Sequence, residues 1–480
     1  MSSQKRLISK ERDFGAWYDE LLSSAALADN RYNVKGFVVI RPDLFFIINS
    51  IYKLFEKELV DSGHDQVLFP TVIPMSNLRR EAEHVKGFED QVFIVESAGG
   101  EKLDEPLALR PTSETAVYPM LSLWIRSYRD LPMRLFQSVT VFRHETKATR
   151  PLLRGREFSW IETHDAFATD KEAKDQVQED ARISSKIFDE LGIPFLPLQR
   201  EPDDRFPGAE ETFAYDTLLP DGHALQIATT HLLGHRFSKP FDVGFLDENG
   251  NRLHPYTTCF GPGISRIAAA LIATHGDDYG MVLPFNVCRR QIVIVPIPKK
   301  GEKEEYIREK CKAMEKQLKG SGYRVFTDNS EDRPGGKFYK WEQLGSPLRI
   351  EIGHREVEQN VVTLFRRDLR QRETVPDQDI TNRIYALSKE IQKTTREKAW
   401  SWFSSKLKDA SVRSDLLKMA KKGYIIRMQY CGQEECGQEI KKDLGLEVRG
   451  KRMDIEEQPS GKCAWCGATS IRIVYVAKSY

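Results

Sequence analysis

The 480-residue sequence lacks the features that would place a protein at or across a membrane. Residues 1–15 are charged without an apolar h-region, and no later stretch approaches the roughly 18 apolar residues of a membrane span. A bulk basic excess is also missing, because 72 Lys and Arg residues nearly balance 71 Asp and Glu residues. We therefore expect a cytoplasmic chain without a membrane anchor, in which any nucleic-acid contact is local and depends on shape.

The common phosphate-binding loops of parallel-sheet proteins are missing as well. The sequence has no G-x-x-x-x-G-K-[ST] loop and no G-x-G-x-x-G between a strand and a helix. If the chain binds ATP, arginines must hold it, because the planar guanidinium pairs well with phosphate oxygens. The composition is otherwise globular, 40% hydrophobic and 30% charged, and the length allows two to four domains.

Cysteine is scarce until the end of the chain. Cys259, Cys288 and Cys311 stand alone, and the other four follow a C-x4-C and a C-x2-C spacing separated by 26 residues: Cys431, Cys436, Cys463 and Cys466. Paired cysteines at these spacings are typical of a four-thiolate tetrahedral zinc site. The alternative is a set of reduced thiols in a fold that has lost its metal.

The pattern along the chain indicates four units. Residues 1–289 begin with an amphipathic helix and continue with short apolar runs, which predict a mostly antiparallel sheet with helices at 114–128 and 170–191. Residues 290–378 alternate strands and helices, which indicates a small α/β domain with a mixed or parallel sheet. A helical connector at 379–422 and a last small α/β unit at 423–480 complete the prediction.

Polar residues on predicted strands suggest a site in the first unit. Arg143 ends the strand TVFR, and Glu145 faces the same side because strand side chains alternate. The strand 158–164 sends Glu162 and His164 to the same face as Trp160. Burying a carboxylate beside a tryptophan is costly unless it is paired, so we expect a binding site here. The alternative is a structural ion pair of Glu162 with Arg154 or Arg156.

A second arginine sits at the start of an apolar helix in CFGPGISRIAAALI. Arg266 falls in the first turn, where a cation opposes the helix dipole and a phosphate would be favoured. A capping or surface arginine would fit the same pattern.

Together these segments resemble the three signature motifs of class II aminoacyl-tRNA synthetases. QVLFPTVIP around Pro70 is similar to motif 1, which builds the dimer interface; FRHE at 142–145 is similar to motif 2, and GPGISR at 261–266 to motif 3. HVKGF at 84–88, RPTSE at 110–114 and TRPLLRGREF at 149–158 resemble the prolyl-tRNA synthetase family of the archaeal and eukaryotic type. The resemblance covers essentially the whole chain.

The resemblance implies a proline–tRNA ligase that forms prolyl-adenylate with ATP and Mg²⁺, passes proline to tRNA(Pro) and works as a homodimer. It implies an α+β catalytic domain at 1–289, an α/β anticodon-binding domain at 290–378 and a zinc-binding C-terminal domain. The catalytic residues it implies are Arg143 and Arg266, and the ATP-binding residues are Arg143, Glu145, Arg154, Gln226, Thr229 and Arg266. The proline-binding residues it implies are Thr112, Glu114, Arg143, Trp160, Glu162, His164, His231 and Cys259.

Three further expectations follow from the resemblance. The anticodon would be read from strands that carry Arg349, Glu351, Arg366 and Arg367, although a solvated sheet face is the alternative. The terminal Tyr480 would fold back near the active site, or would serve only as a hydrophobic anchor. No editing domain fits between motifs 2 and 3.

Two rival functions stay open at this point. A threonyl, seryl or histidyl enzyme of the same class would not be expected to carry RPTSE and the four-cysteine tail. A catalytically silent paralogue that only binds tRNA would usually lack the motif arginines, and Arg143, Glu145 and Arg266 are all present.

Overall fold

The computed structural model describes residues 6–80, 89–298 and 304–480, so HVKGF at 84–88 lies outside the described residues. The helices within these ranges are α1 Phe14–Ser24, α2 Pro42–Asp61, α3 Met75–Arg79, α4 Glu114–Trp124, α5 Asp170–Leu191, α6 Ile264–His275, α7 Glu304–Gly320, α8 Pro334–Gln343, α9 His354–Glu358, α10 Ile380–Ser405, α11 Arg413–Met419 and α12 Glu434–Leu444. Short 3-10 turns lie at Glu89–Gln91, Tyr128–Asp130, Pro202–Asp204 and Asp377–Asp379.

The strands in the same ranges are mostly short. They are β1 Ala28–Asp29, β2 Val39–Ile40, β3 Asp65–Gln66, β4 Val72–Pro74, β5 Phe93–Ala98, β6 Glu101–Leu109, β7 Met133–Phe142, β8 Glu157–Phe167, β9 Leu196–Gln199, β10 Glu211–Leu218, β11 His223–Gly234, β12 Phe245–Leu246, β13 Arg252–Leu253, β14 Tyr256–Pro262, β15 Ile292–Pro296, β16 Val325–Thr327, β17 Leu348–Ile352, β18 Val361–Arg366, β19 Gln371–Pro376, β20 Leu407–Ala410, β21 Ile425–Tyr430, β22 Glu447–Arg452 and β23 Arg472–Ser479.

The catalytic unit is built on a mostly antiparallel sheet, as the sequence predicts. Strands β9, β10, β11, β14, β8 and β7 run antiparallel to their neighbours, and β3 pairs parallel with β7 at the edge. The longest pairing joins β7 and β8 over ten residue pairs, from Met133↔Ala166 to Phe142↔Glu157. The apolar sides of α1, α2, α5 and α6 form the main hydrophobic core with this sheet.

Local signals in the sequence explain where these elements begin and end. Thr169 and Glu172 form a reciprocal capping box at the start of α5, and Gly192, with φ of 66°, ends it in the left-handed conformation. The predicted helix 114–128 is too long, because α4 ends at Trp124. Ser127 accepts a hydrogen bond from the backbone of Arg129 and thereby starts a separate 3-10 turn.

The predicted strand QVLFPTVIP is interrupted. Residues 65–66 pair with β7, and residues 72–74 pair with β6 in a separate three-stranded sheet of order β4-β6-β5. Between them, the Phe69 amide donates to Gln137 Oε1 at 3.1 Å instead of joining a ladder, and Pro70 has no amide hydrogen to offer.

The second unit contains a five-stranded mixed sheet of order β16-β15-β17-β18-β19. β15 pairs parallel with both β16 and β17, whereas β18 and β19 complete the sheet in antiparallel order. Helices α7 and α10 contribute the apolar residues that fill its core.

The C-terminal unit shares a sheet with the catalytic unit, which the sequence does not predict. β22 pairs with β9, and β23 pairs parallel with β11, so one sheet of eleven strands runs through both units. Only part of the predicted helical connector is helical. Its residues 407–410 form β20, which pairs with β21 and therefore belongs to the C-terminal sheet. None of the helices in the three described ranges combines the length and apolarity that crossing a bilayer requires.

Candidate functional site

A polar cavity opens above the strands β8, β11 and β14 of the catalytic sheet. Eight of the residues predicted for ATP and proline line it: Arg143, Glu145, Arg154, Trp160, Gln226, Thr229, His231 and Arg266. The remaining predicted proline-binding residues, Thr112, Glu114, Glu162, His164 and Cys259, do not line the cavity and are at most 2% exposed. These residues come from strands, from the loops between them and from the first turns of α4 and α6, which the fold brings together at one place.

Arg143 lies at the junction between the cavity and the deeper residues. Its guanidinium carbon is 5.1 Å from the ring centre of Trp160 and 5.3 Å from that of Phe158, and its Nε donates to the Pro111 carbonyl at 3.0 Å. Burial lowers the pKa of Arg143, although Glu162, Glu114 and Glu145 oppose this shift. The cation is thus held rigidly between aromatic rings and carboxylates, as a pre-organised anion-binding group requires.

Arg266 and Arg154 provide two further cations on the same wall. Arg266 is in the first turn of α6, and its side chain donates to the carbonyls of Leu153 and Gln226, each at 3.2 Å. Burial, and then repulsion by Arg143 and Arg154, lowers the pKa of Arg266 to about 10. Three neighbouring guanidiniums repel one another, so a polyanion bound in the cavity would stabilise them.

Below the cavity, Thr112 joins two carboxylates. Its Oγ1 lies 2.6 Å from Glu114 Oε2 and 2.8 Å from Glu162 Oε1. Glu162 is fully buried on β8, opposite Gln137 of β7, and receives a hydrogen bond of 3.2 Å from the Gln137 amide. Ser113 donates to Glu162 from both its backbone and its hydroxyl.

These contacts decide between the two interpretations of Glu162. Glu162 accepts hydrogen bonds from neutral donors of the RPTSE segment and of β7, and not from Arg154 or Arg156. Burial raises the pKa of Glu162, but the nearby His164 ring, together with hydrogen bonds from Ser113 and Thr112, outweighs burial and lowers it. The buried carboxylate thus stays ionised beside His164 and neutral donors, without a hydrogen bond from Arg154 or Arg156.

His164 and Cys259 face each other across β8 and β14 in the same layer. His164 Nε2 is 4.0 Å from Glu162 Oε2, and neither ring nitrogen of His164 has a hydrogen-bond partner among the described residues. Burial lowers the pKa of His164, but the carboxylates of Glu162, Glu114 and Asp165 together have the larger effect, so the pKa is raised overall. Burial and the nearby Glu114 raise the pKa of the Cys259 thiol well above its usual range, so it is a neutral wall residue.

His231 and Trp160 line the cavity, and with the buried residues Thr112, Glu114, Glu162, His164 and Cys259 they make up the group that we call the lower pocket. The His231 ring stacks on Phe206 at 4.5 Å, and burial together with Arg143 lowers its pKa to about 3, which makes it neutral at physiological pH. Gly261 of the predicted motif 3 leaves room for Trp160, because a Cβ atom at Gly261 would come within 2.6 Å of the indole. The lower pocket thus combines carboxylates with aromatic side chains.

The cavity also includes residues that the sequence analysis missed. They come from the segment between β9 and β10 and from β10 itself: Arg200, Asp204, Arg205, Phe206 and Thr212. Only a weak indication of these residues is present in the sequence, because the segment REPDDRF contains two arginines but no periodic pattern. Tyr480 is also nearby, with the Arg154 guanidinium 5.2 Å from its ring.

A second, separate site is formed by the four C-terminal cysteines. All four Sγ atoms lie within 4.8 Å of one another, with Cys436–Cys463 at 3.8 Å and Cys466–Cys431 at 3.7 Å. A tetrahedron with Zn–S bonds of about 2.3 Å has edges of about 3.8 Å, so the thiols match a four-thiolate geometry. The predicted cluster of these four cysteines, which are far apart in sequence, is thus confirmed.

The residues predicted to read the anticodon are not presented to solvent. Arg349 is 2% exposed, pairs with Glu342 and Glu351, and lies 4.0 Å and 4.1 Å from the ring centres of Phe338 and Phe365. The charges of these residues neutralise one another, and aromatic rings from α8 and β18 enclose them. This geometry favours a structural role for Arg349 and Glu351.

The other two arginines of that prediction are also engaged. Arg367 binds Asp277 of the catalytic unit with two bonds of 2.6 Å and 2.8 Å, which ties the two units together. Arg366 pairs with Asp368 at 2.8 Å and with Glu390 of α10 at 2.7 Å.

Comparison with known proteins now identifies the class and then the family. Residues 93–275 match the core domain of class II tRNA synthetases for Gly, His, Pro, Ser and Thr, and residues 291–387 match an anticodon-binding domain. Residues 415–480 match the C-terminal domain of prolyl-tRNA synthetases. The antiparallel sheet with its arginine-lined cavity is thus the catalytic core of a class II synthetase.

Full-length relatives specify the amino acid. The chain is 52% identical to the proline–tRNA ligase of Thermofilum pendens and 43% identical to that of Methanopyrus kandleri, with at least 96% of each chain covered. A solved structure of Giardia lamblia prolyl-tRNA synthetase in complex with prolyl-adenylate superimposes with a TM-score of 0.96 at 36% identity, over 99% of this chain and 100% of that one. This chain belongs to the proline–tRNA ligase family, whose members are ATP-dependent aminoacyl-tRNA ligases.

Proposed function

We propose that this chain activates L-proline with ATP to prolyl-adenylate and transfers the prolyl group to the 3′ end of tRNA(Pro). The observation that carries the proposal is the layering of the site. Arg143, Arg154 and Arg266 are among five arginines that line the upper cavity, and the carboxylates of Glu162 and Glu114, joined by Thr112, interact electrostatically with Arg143. The upper layer suits a polyphosphate, and the lower layer suits a small ammonium group. The cytoplasm, where tRNA is charged for translation, is the location that this activity implies.

In the activation step, the proline carboxylate attacks the α-phosphorus of ATP and pyrophosphate leaves. Negative charge develops on the phosphoryl oxygens, so fixed guanidiniums are the groups that lower the barrier. We assign Arg143 to the α-phosphate and the proline carboxylate, and Arg154 and Arg266 to the polyphosphate. A general base is not needed, because a carboxylate is already nucleophilic.

The remaining cavity residues would orient the nucleotide. Glu145 lies beside Arg143 on the same wall and would accept from the adenine amine, while Gln226 and Thr229 on β11 would contact the sugar or the phosphates. Mg²⁺ prefers octahedral oxygen coordination and keeps several waters. Asp204 pairs with Arg200 at 3.5 Å, so the ion would be held chiefly by the phosphates of ATP, where it neutralises charge.

The lower pocket would select proline by its secondary ammonium group. That group has two N–H donors, which Glu114 and Thr112 can accept, and the ionised Glu162 provides the balancing charge. Trp160, His164, His231 and Cys259 would surround the pyrrolidine ring. A neutral His231 fits this role, because a cation there would repel the ammonium.

In the C-terminal domain we propose a structural zinc ion bound by the four cysteines. The thiol spacing agrees with a tetrahedral site, and four protein ligands leave no open position for a substrate. The ion would hold the loop after Tyr430 to the loop after Gly461, and it would play no part in the chemical step.

We also propose that the protein is a homodimer through its motif 1 region. Leu68 is 80% exposed near Pro70, Val72 and Trp124 are exposed as well, and the Trp124 ring lies 5.9 Å from the ring of Phe69, the residue after Leu68. Apolar side chains clustered at a surface favour association. Leu68→Glu should therefore convert a dimer to a monomer in sedimentation analysis, with Ile471→Glu at another exposed apolar position as the control.

The anticodon would be bound by the domain at 291–387, through cations that remain exposed next to the buried Arg349 cluster. Arg372 is one of these, since 49% of its side chain is exposed although it contacts Glu351 at 3.2 Å. Arg349 and Glu351 would then support this surface.

The experiment that tests the function is amino-acid-dependent ATP–pyrophosphate exchange with each of the twenty amino acids. We expect proline to give the highest kcat/KM and tRNA(Pro) to be aminoacylated. An enzyme that prefers threonine, serine or histidine, or that catalyses no exchange, would disprove the proposal.

A further inference from the structure

Behind the nucleotide side of the cavity lies a chain of charged residues that crosses from the catalytic unit into the C-terminal unit. It consists of Gln226 on β11, Arg200 after β9, Asp216 on β10 and Arg449 on β22. Arg200, Asp216 and Arg449 are each at most 5% exposed. The aminoacylation chemistry described above does not use these three residues. Burying three charges is costly unless they neutralise one another.

The contacts form an unbroken series. Arg449 Nε donates to Asp216 Oδ2 at 2.8 Å, and Arg200 donates to both Asp216 oxygens at 3.0 Å and 2.8 Å. Arg200 Nη2 also donates to Gln226 Oε1 at 2.9 Å. Asp216 is thus shared by an arginine from each unit, and Arg200 passes the contact on to a residue of the nucleotide cavity.

The series fixes which end of the Gln226 amide faces the cavity. An arginine side chain has only donors, so it must receive the amide oxygen. The Nε2 group of Gln226 is then left as the end that can donate to the nucleotide. Arg266 also donates to the backbone carbonyl of Gln226 at 3.2 Å, so both the backbone and the side chain of Gln226 are held.

The backbone brings Arg449 to this position. β22 pairs with β9 through Lys451↔Gln199 and Arg452↔Leu198, immediately beside Arg200. The approach is so close that a Cβ atom at Gly450 would lie 2.0 Å from the Gln199 carbonyl oxygen, and the φ of Gly450 is 113°. Arg449 also donates at 3.2 Å to Glu447 and to Ser479 of β23.

We propose that Arg449 and Asp216 are positioning residues for ATP: through Arg200 they hold Gln226 in its nucleotide-binding orientation, so that the docked C-terminal unit completes the activation site. This inference rests on the proposed function, because it takes Gln226 as a nucleotide contact. It assigns the C-terminal unit a role in the first step of the reaction, separate from any role in tRNA binding.

The test is a double-mutant cycle on the full-length enzyme. Arg449→Met should raise the KM for ATP about tenfold, as expected for the loss of a charge-assisted contact, while the KM for proline changes less than about twofold. In a Gln226→Ala background the same substitution should add little, because its effect passes through Gln226. Arg452→Met is the matched control on the same strand, since Arg452 pairs with Asp454 at the surface.

Conservative replacement and a binding measurement separate positioning from folding. Arg449→Lys can still make one bond to Asp216, so its KM for ATP should lie between wild type and Arg449→Met. Calorimetric binding of ATP without amino acid should weaken in parallel, and it reports on the positioning even if the amino acid proved not to be proline. An unchanged KM for ATP, equal increases for both substrates, or additive effects with Gln226→Ala would overturn the proposal.

Discussion

The residues of the lower pocket stay charged although they are buried, because each charge has specific partners. Glu162 receives hydrogen bonds from Thr112, Ser113 and Gln137, and Arg143 lies between two aromatic rings and close to the carboxylates. These groups hold their positions before substrates arrive, which is the condition for strong electrostatic stabilisation of a transition state.

At this scale Arg143 offers the most direct test of the chemical step. Arg143→Ala should lower the rate of proline-dependent pyrophosphate exchange roughly 10²-fold or more, because a fixed donor to the developing phosphoryl charge is lost. Arg129→Ala is the matched control, since Arg129 is exposed. Near-normal exchange by the Arg143 variant would disprove its assignment.

Strand alternation predicted the alignment of Trp160, Glu162 and His164, because the period of two is a property of one strand. It could not predict Arg200, Phe206 or Thr212. These residues reach the cavity through pairing of β10 with β9 and β11, and such pairing between segments has no local signature. The burial of Arg349 was not predicted for a related reason: its enclosure by Phe338 and Phe365 depends on a helix and a strand that pack only in the folded domain.

At the scale of elements, the end of α6 carries a buried histidine whose ionisation opposes folding. His275 is the last residue of α6, and its Nε2 is 2.9 Å from the Leu191 carbonyl at the end of α5. Burial lowers the pKa of His275 to about 4, outweighing that hydrogen bond. At pH values between the usual histidine pKa and about 4, His275 therefore binds a proton in the unfolded chain but not in the folded chain.

Stability should accordingly fall as the pH drops below about 6.5, with about 2 kcal/mol lost at pH 5 through this residue. His275→Gln keeps a donor near Leu191 but cannot ionise, so its thermal midpoint should fall less between pH 7.5 and pH 5 than that of the wild type. His354→Gln on α9 is the control. Equal decreases for wild type and His275→Gln would show that His275 does not contribute to acid sensitivity.

The four-cysteine loops give a second prediction at this scale. Protein purified without added zinc should contain about one equivalent of the metal, because the four thiols form a closed tetrahedral set. Cys463→Ser with Cys466→Ser should lose it, whereas Cys288→Ser with Cys311→Ser, at two isolated positions, should retain it. Absence of metal from the wild type would disprove the zinc proposal.

At the scale of the whole molecule, the sequence predicted the order of the units along the chain better than how the units pack together. The four-cysteine spacing and the motif order indicated a catalytic core, an anticodon domain and a C-terminal unit. The continuous eleven-stranded sheet was not foreseen, because the pairing of β22 with β9 joins residues about 250 positions apart and depends on the space left by Gly450. The boundaries at 289, 378 and 422 stay predictions.

The segment between motifs 2 and 3 bears on the accuracy of the enzyme. All residues from Glu145 to Gly261 are described, and they form β8, α5, β9, β10, β11, β12, β13 and most of β14, with their connections. These elements build the catalytic sheet and its cover, so in this segment no residues are left for a second, hydrolytic domain. We therefore expect an amino acid to be bound in the pocket of the activation site and not in a separate hydrolytic site.

That pocket cannot exclude an amino acid smaller than proline by steric clash, since each missing methylene forfeits only about 1–3 kcal/mol of binding. We therefore expect weak alanine-dependent pyrophosphate exchange and slow formation of alanyl-tRNA(Pro), which this protein does not hydrolyse. The measurement is incubation of the enzyme with preformed alanyl-tRNA(Pro), with buffer alone and an Arg143→Ala variant as controls. Hydrolysis by the wild type clearly above the buffer rate would reveal an editing activity, and its persistence in the Arg143 variant would place that activity outside the activation site.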